Sequence, residues 1–139
     1  MISTFIMKQI FGLSILIITV NCAAQNIPAP VKAAFEKSFP NTVVKKWDKE
    51  GSSYEANFSK DAKTMSATFD ADGTWKETET DIRVAELPAP VLSYIKSNYK
   101  EAGIKEAAII ETPKGKMYEA EVKGKDLLFD MDGKFLKQE

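Results

Sequence analysis

The chain has 139 residues with 19 basic and 20 acidic side chains, no histidine and a single cysteine. That balance excludes the basic footprint needed for nucleic acid or an anionic membrane surface. The lack of histidine removes the commonest general base, the commonest zinc ligand and every serine–histidine arrangement.

In chain order, the first segment does not read as part of a folded domain. Lys8 supplies a short positive region, Ile10 to Val20 is apolar apart from Gly12, Ser14 and Thr19, and the small residues Ala23 and Ala24 follow. This three-part pattern predicts a secretory signal peptide over residues 1–24, cut after Ala24. The apolar run is short for a membrane span of about 20 residues, and the alternatives are a buried N-terminal helix or a retained anchor. Cys22 raises lipid attachment, but Asn21 stands where a small residue is expected, so the pattern fits poorly. Cleavage leaves no cysteine and therefore no disulfide or thiol chemistry. The expected location is periplasmic or secreted, with no membrane span after cleavage.

The remainder is a duplication. Ile27-Pro28-Ala29-Pro30-Val31 recurs as Leu87-Pro88-Ala89-Pro90-Val91, and Phe69-Asp70-Ala71-Asp72-Gly73 recurs as Phe129-Asp130-Met131-Asp132-Gly133, both at a shift of 60. Between them Tyr54-Glu55-Ala56 matches Tyr118-Glu119-Ala120 at a shift of 64. Three matches in one order imply two copies of one unit, repeat 1 over residues 25–80 and a linker with repeat 2 over 81–139. Thr80 to Glu86 reads as the connector.

Each copy opens with a helix. Proline suits its first turn, where a missing N–H costs nothing. Val31, Phe35 and Phe39, and then Val91, Ile95 and Tyr99, form one apolar stripe on each helix. Pro40 is expected to end the first helix and Ala102-Gly103 the second. The period then changes to two: Tyr54, Ala56 and Phe58, then Met65, Ala67 and Phe69, then Tyr118, Ala120 and Val122, alternate with polar residues. Strands are predicted at about 43–49, 53–59, 64–69 and 75–80, and at 104–111, 116–122, 125–129 and 134–137. Each helix needs an apolar surface and each sheet face needs a lid, so the expected class is α+β, two tandem α-β-β-β-β units with both helices on one face of the antiparallel sheet. Joining two half-cores is expected to matter, since a unit of about 55 residues alone is marginal.

The acidic turns Asp70-x-Asp72-Gly73 and Asp130-x-Asp132-Gly133 invite a calcium reading. An EF-hand loop needs a third acidic or amide position before its glycine, and that position is missing here. The preferred reading is a hairpin: Asp opens a type I turn, Gly closes it in the left-handed region, and Phe69–Trp75 and Phe129–Phe135 become cross-strand pairs. No metal or cofactor is therefore expected; the alternative is a periplasmic carrier of a small ligand or of a metal ion, calcium, using the sheet cavity or the acidic turns with Asp70, Asp72, Asp130 and Asp132. The glycines never cluster as a phosphate-binding loop requires. Carboxylate-pair catalysis is formally available, but the glutamates alternate along wet strand faces, and no enzyme activity is expected.

The remaining candidate surface is the sheet face opposite the helices. Glu55, Asn57, Ser66, Thr68, Lys76, Thr78, Glu119 and Glu121 are expected to project there. Strict alternation from an inward Val44 also sends Trp47 outward, where an exposed tryptophan would anchor a partner, unless a bulge turns it into the core. Its counterpart in the second copy is Ala107.

The order Ile27-Pro28-x-x-Val31, Phe35-x-x-x-Phe39-Pro40, Trp47, Tyr54-Glu55-Ala56 and Phe69-Asp70-x-Asp72-Gly73 resembles the PepSY-like, beta-lactamase-inhibitor-like family of small exported bacterial proteins. The resemblance spans nearly all of the chain after residue 24. It implies a tandem helix-plus-four-strand repeat with one continuous curved sheet, and a binding role in which a protein or peptide docks on the sheet; it offers no catalytic residues. Lys100 in place of Pro40, and Ala107 in place of Trp47, depart from the pattern in the second copy and put equivalent binding by both halves in doubt.

Overall fold

The computed structural model describes residues 26–100 and 102–139; the signal segment expected over residues 1–24 lies outside them. Helix α1 spans Ala29–Ser38 and helix α2 Ala89–Tyr99. The strands are β1 Val44–Glu50, β2 Ser53–Lys60, β3 Lys63–Asp70, β4 Trp75–Ile82, β5 Ile104–Thr112, β6 Gly115–Val122, β7 Lys125–Phe129 and β8 Phe135–Gln138. They form one antiparallel sheet in the order β1-β2-β3-β4-β5-β6-β7-β8, so each hairpin pairs with the next and β4–β5 joins the repeats.

Both prolines of each helix motif sit at its entrance. Pro28 and Pro88 are the capping residues, one step earlier than expected, and their carbonyls accept the N–H groups of Val31 and Val91 at 3.1 and 3.0 Å. Helix α1 stops at Phe39, whose N–H donates to Phe35 O at 2.8 Å, just before Pro40. Helix α2 stops earlier than Ala102-Gly103, because Lys100 turns into the left-handed region at φ 46°.

The connector is shorter than expected. Thr80 to Ile82 still belong to β4, and a single 3₁₀ turn, Val84–Glu86, leads into α2. The Glu86 carboxylate accepts the Arg83 N–H at 2.8 Å and holds that turn; these hydrogen bonds from Arg83 keep the carboxyl below its ordinary pKa.

The insertion and deletion between the copies fall on hairpins in pairs. The β1–β2 ladder ends at Glu50↔Ser53, whereas β5–β6 runs on past the equivalent Ile110↔Met117 to Thr112↔Gly115. Conversely, β2–β3 reaches Lys60↔Lys63, but β6–β7 closes at Val122↔Lys125, the equivalent of Phe58↔Met65. Two residues are added or lost on each strand, an even number, so no side chain changes face.

Two apolar clusters result, one per repeat, and they remain separate where the sequence suggested a joined core. In the first, Phe35 of α1 meets Phe58 and Trp47 with ring centres 5.1 and 5.8 Å apart, over Ala56, Ala67 and Phe69. In the second, Val91 and Ile95 of α2 cover Ala107, Ala120, Val122, Leu127 and Phe129. Tyr94, outside the expected stripe, stacks on Phe135 at 4.7 Å and meets Phe129 edge-on at 5.4 Å. The clusters stay apart because the helix-side residues of β4 at the seam are Thr78 and Thr80, too small and polar to bridge them.

Candidate functional site

The side chains that do not face the helices define the candidate site. Four bulges decide which they are. Between Val44 and Lys46 the register slips by one, leaving Lys45 extra; the same slip leaves Lys76 extra in β4, Lys105 in β5 and Leu136 in β8. All four extra residues are exposed. Each bulge re-aims every residue beyond it.

Three of the expected positions are corrected by this. Trp47 turns inward: it pairs with Ala56 and packs edge-on against Phe35, so it belongs to the core and not to the open face. Thr78 pairs with Ala67 on the helix side and accepts a hydrogen bond from Trp75 Nε1 at 3.0 Å. Lys76 is itself the extra residue of its bulge and lies 3.5 Å from Asp70 Oδ2. Thr68 does point away from the helices, but it is only 4% exposed. Its cross-strand neighbours Glu55 and Glu77 flank it on either side. Glu55, Asn57, Ser66, Glu119 and Glu121 lie on the open face as expected, opposite the face carrying Ala56, Ala67 and Ala120.

The open face is read as rows across the strands. One runs Asp48–Glu55–Thr68–Glu77, and the next runs Lys46–Asn57–Ser66–Glu79–Ile110–Met117. In repeat 2 a row runs Asp81–Ala108–Glu119–Leu128–Lys137, and beyond it lies Glu106–Glu121–Asp126. Asn57 Nδ2 donates to Asp48 Oδ2 at 3.1 Å, Lys46 pairs with Asp48 at 2.7 Å, and Lys105 pairs with Glu121 at 3.2 Å. Burial pushes the Glu55 carboxyl above its ordinary pKa, and the charges of Glu50, Glu79 and Asp48 add to the effect. The hydrogen bond to Asp48, and then its charge, hold Lys46 more firmly protonated.

Carboxylates on this face that the sequence reading missed, Glu77, Glu79 and Asp81, became legible only once the Lys76 bulge was placed. A second missed feature was present in the repeat itself. At equivalent open-face positions repeat 1 carries Asp48, Glu50, Ser53 and Thr68, whereas repeat 2 carries Ala108, Ile110, Met117 and Leu128. Aligning the copies at shifts of 60 and 64 reveals the exchange.

The acidic turns are built as hairpins. Asp70 N–H donates to Thr74 O at 2.8 Å and Gly73 N–H to Asp70 O at 2.9 Å; the second copy repeats both bonds at 2.9 Å. Asp70 Oδ1 accepts from Ser53 Oγ, Asp72 Oδ1 from Thr74 N–H, and Asp130 Oδ1 from the N–H groups of Asp132 and Lys134. The hydrogen bond from the Thr74 N–H holds the Asp72 carboxyl below its ordinary pKa. Phe69 and Trp75 pair across the strands, as do Phe129 and Phe135. Among the described residues no three acidic, histidine or cysteine side chains converge as metal ligands.

On the helix side, the seam between the two clusters leaves a cleft of about 440 Å³. Thr78, Thr80 and Ile109 form part of its lining, with Phe39, Met65 and Trp75. The Glu111–Lys116 pair, at 3.1 Å, borders it.

Comparison with known proteins agrees with this architecture. The family described as "Putative beta-lactamase-inhibitor-like, PepSY-like" matches residues 18–65 and 52–137. A BLIP-like protein from Bacteroides fragilis is 29% identical with a TM-score of 0.68, over 81% of this chain and 85% of that one. A DUF2874 family protein from Bacteroides ovatus is 24% identical with a TM-score of 0.71, over 81% and 86%. A structure of "putative periplasmic proteins" from Bacteroides eggerthii is 21% identical with a TM-score of 0.72, over 81% and 87%. No curated protein matches the chain. No described helix is long and apolar enough to cross a membrane. The chain belongs to the PepSY-like, beta-lactamase-inhibitor-like family.

Proposed function

We propose that this protein is an exported, non-catalytic module of the periplasm or cell exterior that docks another protein or peptide on the open face of its sheet. One observation carries the reading: both helices pack on the same side of all eight strands, and among the described residues no element covers the other. The segment of residues 1–24 and the family membership support export and an inhibitor-like mode of contact. A photo-crosslinking amino acid at Glu55 or Glu119 on the open face, compared with one at Glu36 or Ser97 on the exposed side of the helices, tests it in cells that export the chain. Adducts are expected from the open-face positions. Adducts from the helix positions alone, or from none of the four, count against the proposal.

The cleft at the seam favours a second reading, a carrier of a small ligand. Its volume lies in the range of small-molecule sites, and its lining mixes aromatic walls with hydroxyls. Native mass spectrometry after gentle purification separates the two readings, because a carried ligand adds mass.

A further inference from the structure

The seam cleft on the helix side changes character from one end to the other, as the rows across the strands show. Ala67–Thr78–Glu111–Lys116 is one row, and it ends in the Glu111–Lys116 ion pair at 3.1 Å. The next row on that face is Met65–Thr80–Ile109. Beyond it, the last rung of the β2–β3 hairpin sets Lys60 directly opposite Lys63. Lys60 Nζ sits 5.8 Å from the centre of the Phe39 ring, which is a wall of the cleft; the ring face attracts the ammonium and keeps it there. Met65, Trp75, Thr78, Thr80 and Ile109 are all half-buried, so the lining is open to a ligand and not sealed by its neighbours.

The fold does not require these two lysines. Repeat 2 closes its equivalent hairpin at Val122↔Lys125 and has no such rung. Like charges directly opposed on a ladder destabilise it. The turn that joins them holds Asp61 at φ 51° and Ala62 at φ 60°, a left-handed conformation that is unfavourable for residues with a Cβ. Among the described residues neither lysine forms an ion pair. Glu86 feels the charge of Lys63, but its carboxylate is engaged by Arg83. The cleft therefore has two cations at one end, apolar walls in the middle and a carboxylate, Glu111, at the other end. We propose that it binds a small amphipathic acid, with the apolar body between Phe39, Met65, Trp75 and Ile109 and the carboxylate at Lys60 and Lys63. Glu111 fixes the orientation, because it repels a carboxylate at its own end. The inference rests on the carrier reading and adds the chemistry and the orientation of what is carried.

Octanoate, octanamide and octylammonium share one tail and differ in charge, and amide chemical-shift titration of the whole folded chain compares them. Octanoate is expected to shift the amides of Met65, Thr78, Thr80 and Ile109. It should bind about three- to fivefold tighter than octanamide, the scale of a partly exposed ion pair, and octylammonium should bind weakest. Lys60→Met with Lys63→Met should erase the preference for octanoate and leave octanamide binding unchanged; the hairpin keeps its fold because an opposed pair of like charges is removed. Thr80→Phe, which fills the cleft, should weaken all three probes with the fold intact by circular dichroism. Equal binding of octanoate and octanamide, a preference that survives the double lysine substitution, or shifts confined to the open face of the sheet overturns the inference. Failure of all three probes to bind also overturns it. Native mass spectrometry judges the carrier reading separately. An added mass that proves to be a neutral or basic compound sinks the inference and leaves the carrier standing, whereas no added mass together with no probe binding removes both.

Discussion

Replacing Gly73 by alanine tests whether the acidic turn is a structural clasp between sheet and helix. Gly73 has φ +88°, and a Cβ built there lies 2.6 Å from the carbonyl oxygen and 3.1 Å from the carbonyl carbon of Pro30, at the start of α1. Gly51 is the internal control: it also has positive φ, +60°, but a Cβ there meets nothing within 4 Å. Gly51→Ala therefore incurs only the left-handed backbone cost of about 1–2 kcal/mol. Gly73→Ala incurs the same cost and must also push the helix backbone away, with an overpacking penalty of about 1–3 kcal/mol. The expected excess of Gly73→Ala over Gly51→Ala is that second figure. Urea denaturation followed by tryptophan fluorescence reads it, because Trp47 and Trp75 are the only tryptophans and both sit in repeat 1. If the two substitutions cost the same, the turn does not press on the helix and the clasp argument fails. The second copy offers a replicate, since a Cβ on Gly133 lies 2.8 Å from Pro90 Cβ and 3.3 Å from Val91 N.

Trp47→Ala should destabilise the chain by about 3 kcal/mol, the low end for a large aromatic because the ring is half-buried; a near-neutral result in thermal denaturation would return Trp47 to the surface. Phe58→Ala and Phe129→Ala should each cost about 3–5 kcal/mol. In hydrogen exchange each should lower protection mainly within its own repeat, and equal losses throughout would mean that the two clusters act as one. Glu55→Gln should stabilise the protein at neutral pH by a few tenths to about 1 kcal/mol, the scale of a like-charged cross-strand pair such as Asp48↔Glu55. The folded pKa of Glu55 is raised, so protonation favours the folded state: that stability is present below the ordinary carboxylate value and is lost as pH rises through the raised one. The advantage of the glutamine variant should shrink on acidification, and a constant difference from pH 4 to pH 7 in urea melts would contradict the assignment.

Much of the architecture could be read before any coordinates. The duplicated Pro-Ala-Pro-Val and Phe-Asp-x-Asp-Gly motifs, the four-residue spacing of Val31, Phe35 and Phe39, and the alternation around Tyr54 and Tyr118 encode local periods. Local periods decide which face of an isolated helix or strand is apolar. They placed both helices, all eight strands and both acidic turns to within a residue or two, and they put Glu55, Asn57, Glu119 and Glu121 on the open face correctly.

Tertiary structure decided the rest, because a bulge is a property of a strand pair and not of a strand. Lys45 and Lys76 carry no signal of their own, yet each shifts the register by one residue and so exchanges inside for outside beyond it. That single-residue slip moved Trp47 into the core and Thr78 to the helix side, and it brought Glu77, Glu79 and Asp81 to the open face. That Ala108, Ile110, Met117 and Leu128 share the face turned away from α1 and α2 likewise became visible only when the sheet order brought the four residues onto adjacent strands. Alternation determines which residues travel together along one strand; only pairing with the neighbouring strands determines what they face.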